Sequence, residues 1–230
     1  KDRFLQAQRQ KPSFMYNKFS TDTSWYRPEL LKIPQETMHQ WIRQKPELKV
    51  YEKQLNDMYF TEKHVLSEDK ETLLTYFSTP LDTASAVYRQ LTNADIKRTE
   101  ITLTTGEKVV LTQGNYSRIM RDEALTQEDR KNAYIAYLTV YKDKLNTFAT
   151  IYSGVCHRNW ANARARNYPS SLEARLYGNK IPLEVYENLV TTVRNTTAPL
   201  KRYMKLKKDV IMKRKNLKEY WSYDGSLSLT

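Results

Sequence analysis

The 230-residue sequence predicts a mainly α protein: a multi-helix array with one long central helix and one small β-hairpin. Three observations carry that expectation. Only five glycines and eight prolines stand among abundant Leu, Lys, Glu, Gln and Tyr, a composition of helix formers rather than of turn-rich strands. From about residue 127 to about 166 a single Gly154 and no proline interrupt a helical spacing of apolar side chains. Between residues 99 and 112 the pattern switches to alternation around Thr105-Gly106-Glu107, which reads as two short strands joined by a turn.

The elements follow in order. Residues 3 to 19 read as the middle of a helix without a cap. Residues 28 to 45 read as a short link and a helix, with Pro34 at a first helical position and Met38, Trp41 and Ile42 on one side. Pro46 opens a helix through Phe60 whose apolar stripe is Leu48, Tyr51, Leu55, Met58 and Tyr59. Ser67 caps the next, where Glu68 and Asp69 suit the positive end of the helix dipole. Another starts after Pro80 and Asp82. The hairpin at 99–112 must lie on the helical body, because two strands alone are marginal in water. Thr112 leads into a short helix and Thr126 opens the long one, about 60 Å from end to end at 1.5 Å per residue. The stretch Tyr168-Pro169-Ser170-Ser171 breaks it. A short amphipathic helix, a Gly178-Asn179 turn and two helices at about 182–195 and 198–215 complete the chain.

Composition narrows the function classes. No apolar run approaches the roughly 20 residues that cross a bilayer, so the sequence reads as soluble, with no membrane partner. The single Cys156 excludes an internal disulfide and any Cys-rich zinc module and fits a reducing compartment. A helical cysteine of this kind is expected buried or half-buried, and its neighbour His157 points about 100° away, too far round for a Cys/His pair. The net charge of +12 is concentrated in Lys201–Lys218, nine basic residues against Asp209 alone. Apolar residues recur there from Leu200 to Leu217 at three-to-four spacing, which marks an amphipathic helix with one buried face. A solvated basic face is preferred over a nucleic-acid surface, since no recognition motif accompanies the charge.

Catalytic motifs are absent. A zincin needs two histidines one turn apart with a glutamate beside the first, which sets both imidazoles on one face. His39, His64 and His157 have no such partners, so none is taken as a metal ligand; each is expected at the surface or its boundary. No Gly-x-Ser-x-Gly, phosphate-binding loop or dinucleotide fingerprint occurs. Gly106 and Gly114 are read as turn glycines. The acid pairs Glu128/Asp129 and Glu184/Glu187 fall at helix starts, where the dipole accounts for them.

The order Ala-Arg-x-Tyr-x-Ser-x-Leu-Glu-Ala-x-Leu-Tyr-Gly-x-x-Ile-Pro-x-x-Val-Tyr-x-x-Leu from Ala165 to Leu189 resembles the oligoendopeptidase F family of zinc metallopeptidases, which is thimet-oligopeptidase-like. Asn93-Ala94-Asp95-Ile96, Ile101, Gly106, Val109, Leu111-Thr112 and Gly114-x-Tyr116 fall in the family's order too, as do Tyr134, Tyr137, Asn146, Thr147 and Ala149 of the long helix. The resemblance spans about Phe19 to Leu229. It implies that residues 1–230 are the N-terminal, non-catalytic helical region of a cytoplasmic hydrolase, one wall of a channel admitting short peptides. Zinc and the His-Glu-x-x-His catalytic domain that holds it are implied for the intact enzyme and absent from this chain. Lys1 at the start and Asp224-Gly225-Ser226-Leu227-Ser228-Leu229-Thr230 at the end read as cuts through a longer polypeptide.

No catalytic, cofactor or metal residue is therefore assigned, and the chain alone is expected to be inactive. Arg166 and Tyr168 are the candidate substrate-binding residues, within a group of positions to test that also holds Arg164, Ser171, Glu173 and Arg175. The competing expectation is structural: Tyr168 and Glu173 pin the helix break while the arginines pair with acids. The alternative function is a basic helical binding protein that uses Lys201–Lys218 on nucleic acid or acidic partners.

Overall fold

The computed structural model describes residues 3–229, and the chain folds as two compact units: Lys1–Ala86 with Tyr152–Tyr186, and Val87–Ile151 with Glu187–Thr230. No shift of composition marks this division. Lys1, Asp2 and Thr230, the outermost residues of the expected 1–230 region, lie outside the described residues.

The first unit opens with α1 (Arg3–Asp22), α2 (Tyr26–Leu31) and α3 (Gln35–Gln44). The expected Pro46–Phe60 helix is split: Pro46–Tyr51 is a 3-10 turn and α4 runs Glu52–Phe60. Met38, Ile42, Met58 and Tyr59 form the core, with Leu30, Leu31, Ile33, Leu48 and Leu55 against it. The Tyr59 hydroxyl donates to the Ile33 carbonyl at 2.8 Å, so the one polar atom of this buried ring is satisfied. After α5 (Glu68–Tyr76) comes α6 (Ser78–Gln90), which includes Pro80 in its first turn rather than starting beyond it. Side chains of α1 and its C-terminal turn meet these helices through hydroxyls and an amide: Asn17 to Thr79 at 2.8 Å, Thr21 to Thr75 at 2.9 Å, Ser24 with Thr72 at 2.9 Å.

In the second unit a π-turn at Leu91–Asp95 precedes the hairpin. Strand β1 (Glu100–Thr102) pairs antiparallel with β2 (Lys108–Val110), with Ile101 opposite Val109. Gly106 takes φ +87° in the turn, a conformation that needs glycine. Gly114 serves no turn, because it is the second residue of α7 (Gln113–Arg121). As the sequence requires, the hairpin lies on helices: Leu103, Val109 and Leu111 join Ile119, Met120, Leu125, Ala133 and Tyr223 in one buried cluster.

The long helix is not continuous. Helix α8 (Gln127–Lys142) and α9 (Leu145–Ala165) are separate, about 24 and 31 Å long. Between them the Lys144 amide reaches back only to the Tyr141 carbonyl, a tight three-residue turn, before Phe148 resumes four-residue bonding. Residues 142–147 are all exposed, so no apolar contact holds this turn in α geometry.

The remaining helices are α10 (Ser171–Tyr177), α11 (Leu183–Asn195) and α12 (Ala198–Arg214). The expected buried stripe of α12 is realised only at its C-terminal end, where Ile211 is buried. Leu200, Tyr203, Met204 and Leu206 are exposed, as are Leu189 and Val193 of α11.

Candidate functional site

The Arg166–Tyr168 segment is shaped by the way α9 ends. Asn167 adopts the left-handed conformation, φ +58°. The Tyr168 amide then donates to the Ala163 carbonyl at 2.9 Å and the Asn167 amide to Arg164 at 3.1 Å, a Schellman closure in which asparagine tolerates what most side chains do not. Pro169 prevents resumption of the helix. Ser170 then caps α10: its hydroxyl accepts from the Glu173 amide at 3.0 Å and donates to the Glu173 carboxylate at 2.8 Å. The turn after α10 closes in the same way, but Lys180 rather than glycine is left-handed at φ +57°, and the Ile181 amide donates to Leu176 at 3.2 Å. Gly178 keeps ordinary right-handed geometry.

This backbone brings Arg166 and Tyr168 against two residues that sequence reasoning did not join to them, His64 and Glu71. The Arg166 guanidinium donates to both oxygens of Glu71 at 2.7 Å each, a bidentate pair. The Leu66 amide adds a third bond to Glu71 at 3.0 Å. Burial pushes the Glu71 carboxyl up, but the bonds from Arg166 and Leu66 outweigh it and hold the group below its ordinary value. The same pair raises Arg166 against the opposing effect of burial. His64 is buried, at 7% exposure, and so departs from the expected surface position. Its Nδ1 lies 2.8 Å from the Arg166 carbonyl; since a carbonyl only accepts, that nitrogen carries the proton. The Tyr168 ring stacks on His64 with centroids 3.5 Å apart, and Tyr177 meets the imidazole edge-on at 4.7 Å. Burial, then the neighbouring Tyr177, raises the Tyr168 hydroxyl above its ordinary value.

The other positions are looser. Arg164 lies over the Trp160 ring at 5.5 Å, and Arg175 is exposed on α10. Cys156 and His157 are both exposed, so the cysteine is not the half-buried residue expected. Two cavities adjoin this region within the first unit. One, of about 970 Å³, is mostly apolar and lies over Met38, Leu55 and Met58, with Arg27 at its wall. The other, of about 430 Å³, is lined mainly by polar residues, among them Glu71, Asp82, Arg158 and Arg166, with Leu74 and Leu81 between them.

Donor chemistry here does not suit zinc. Among the described residues no three His, Cys, Asp or Glu side chains gather closely enough to hold a metal ion. His39 Nε2 lies 2.7 Å from the Asn56 amide oxygen, and His64 uses Nδ1 on the Arg166 carbonyl. No step is assigned to a metal on these residues. On the basic helix, Arg214 and its cap residue Lys215 both bind Glu123, at 2.7 and 2.8 Å. Among the described residues no helix is long and apolar enough to cross a membrane.

Comparison with known proteins bears on this architecture. Residues 29–97 match the family model of oligopeptidase F, and residues 121–226 match that of peptidase family M3. Oligopeptidase PepF of Bacillus subtilis is 36% identical over 208 residues, which is 90% of this chain and 31% of that protein. Group B oligopeptidase PepB of Streptococcus agalactiae is 34% identical over 202 residues, 87% of this chain and 33% of that protein. The chain thus spans about one third of the length of these curated relatives. The crystal structure of oligoendopeptidase-F from Enterococcus faecium matches with a TM-score of 0.90 and 29% identity, over 99% of this chain and 44% of that one. Two family models met in order, relatives aligned along nearly the whole sequence and a shared fold lead to one conclusion: the chain belongs to the oligoendopeptidase F family of M3 peptidases.

Proposed function

We propose that this chain is the N-terminal, channel-forming portion of a cytoplasmic zinc endopeptidase that hydrolyses short peptides, and that the zinc and catalytic residues belong to a part of the enzyme outside it. The observation that carries this reading is the alignment of nearly the whole chain with only about a third of peptidase relatives, together with the lack of a His-Glu-x-x-His motif in the sequence. Exposed apolar side chains on α11 and α12, among them Leu189, Val193, Leu200 and Met204, add support. Such surface is a common mark of an interaction site, here for the catalytic part. Arg166 and Tyr168 would stand on the substrate side of the wall. Arg166 retains about one third of its side-chain exposure and lines the smaller cavity, which favours it over the half-buried Tyr168.

Zinc content and cleavage of a quenched short peptide test the reading. The 230-residue chain alone should contain no stoichiometric zinc and show no turnover, while a longer polypeptide that continues through a His-Glu-x-x-His helix should show both. Zinc and turnover in the short chain would overturn it. The alternative of nucleic-acid binding through Lys201–Lys218 loses two of its nine cations, since Arg214 and Lys215 are engaged by Glu123.

A further inference from the structure

The cleft of about 430 Å³ has α5 and α6 on one side and α9 on the other. Arg158, Asn162 and Arg166 line it at four-residue intervals. On a helix that spacing sets them on one face, about 6 Å apart, and the Arg166 amide still bonds to the Asn162 carbonyl, so the helical course holds to the last of the three.

Both guanidinium charges are already balanced. Arg158 donates through Nη1 to Asp82 at 2.9 Å and to Ser85 at 3.2 Å. Arg166 uses both terminal nitrogens on Glu71. Other donors remain: Nε and Nη2 of Arg158, Nε of Arg166 and the exposed Asn162 amide make no hydrogen bond among the described residues. A row of N–H donors without net charge suits acceptors that repeat at a similar interval and are themselves uncharged. Phosphates do not fit, since their binding depends on unbalanced cations. Carbonyls along one edge of an extended peptide do fit, recurring every second residue, or about 6.6 Å.

We propose that this cleft binds an uncharged, extended peptide segment of about five residues along α9. Arg158, Asn162 and Arg166 donate to alternate carbonyls, while Leu74 and Leu81 in the opposite wall meet its side chains. The choice of a peptide rests on the peptidase reading above. Binding is measured on this chain without turnover, so its failure would leave that reading standing.

The test is titration of the 230-residue chain with an N-acetylated, C-amidated pentapeptide of alanine and serine, followed by calorimetry and nitrogen-edited NMR. Saturable binding should shift the Nε–H signals of Arg158 and Arg166 and the Asn162 amide signals. Asn162→Ala, at an exposed position and checked by its melting curve, should weaken binding about fivefold through one lost hydrogen bond. Raising NaCl from about 0.05 to about 0.5 M should change the affinity less than about twofold. The proposal is overturned if the wild-type chain shows no saturable binding, if those three signals stay still, if Asn162→Ala binds equally well, or if affinity falls steeply with salt as it would at an anion site.

Discussion

Asp224 has no exposed surface and sits 94 residues along the chain from the arginine it serves. Arg130, 1% exposed, places Nε and Nη2 on one Asp224 oxygen at 3.1 and 3.0 Å and gives Nη1 to the Leu125 carbonyl. Gln127 and the Trp221 amide bind the other oxygen. A buried charge left without its partner is costly, so Asp224→Ala should destabilise the second unit by about 3–5 kcal/mol, and Arg130→Met with Asp224→Leu should recover much of that. Urea unfolding followed by hydrogen exchange of α8 amides would measure both; unchanged stability in the single variant would contradict it. Neither partner stood out in the sequence. An arginine inside a helix and an aspartate near the chain end are ordinary until folding removes both from water. His64 and Glu71 were hidden from sequence reasoning for the same reason: their partner Arg166 is 102 and 95 residues away. Asn167 was a quieter omission, a left-handed closure that the following Pro169 only hinted at.

At the scale of elements, local chemistry was legible. Thr126 and Asp129 form a reciprocal cap, with the Thr126 hydroxyl accepting from the Asp129 amide at 3.1 Å and Asp129 accepting from the Thr126 amide at 3.0 Å. Thr112, read as leading into a short helix, caps α7 by accepting from the Asn115 amide at 3.2 Å. What misled was continuity, since helical spacing persists across residues 142–147 although nothing covers them. Gly154 also has a reason that only packing reveals. A methyl group built on it would lie 2.9 Å from the Ala84 side chain, closer than carbon atoms approach. Gly154 is therefore where α9 and α6 come together. Gly154→Val should cost about 1–3 kcal/mol through overpacking, and Ala84→Gly in the same chain should return part of it. Thermal melting of the single and double variants decides this; additive losses would show that the two sites do not meet.

Over the whole molecule, carboxylates held by neighbouring donors set the response to acid. Glu71 and Asp129 both lie below their ordinary values of 4.5 and 3.8. For Asp129 burial acts upward and is outweighed by bonds from Thr104 and Thr126. A carboxyl depressed by folding contributes stability that is complete above its unfolded value and is lost as pH falls through its folded value. The melting midpoint should therefore hold steady from about pH 8 to 5 and decline below about pH 4.5, with a shallower decline in Glu71→Gln. A midpoint that rose on acidification would refute the assignment.

By itself the sequence determined the helical class, the hairpin and its turn glycine, most helix starts and the family, through the Ala165–Leu189 order in particular. Those features rest on interactions within a few residues, where spacing, caps and backbone preference act directly. Only the tertiary structure decided that Arg166 is bound to Glu71 and Tyr168 to His64, that the long helix is two, and that half the apolar stripe of α12 is uncovered. Each of these depends on which distant groups lose their water together, and burial of that kind has no period along the chain.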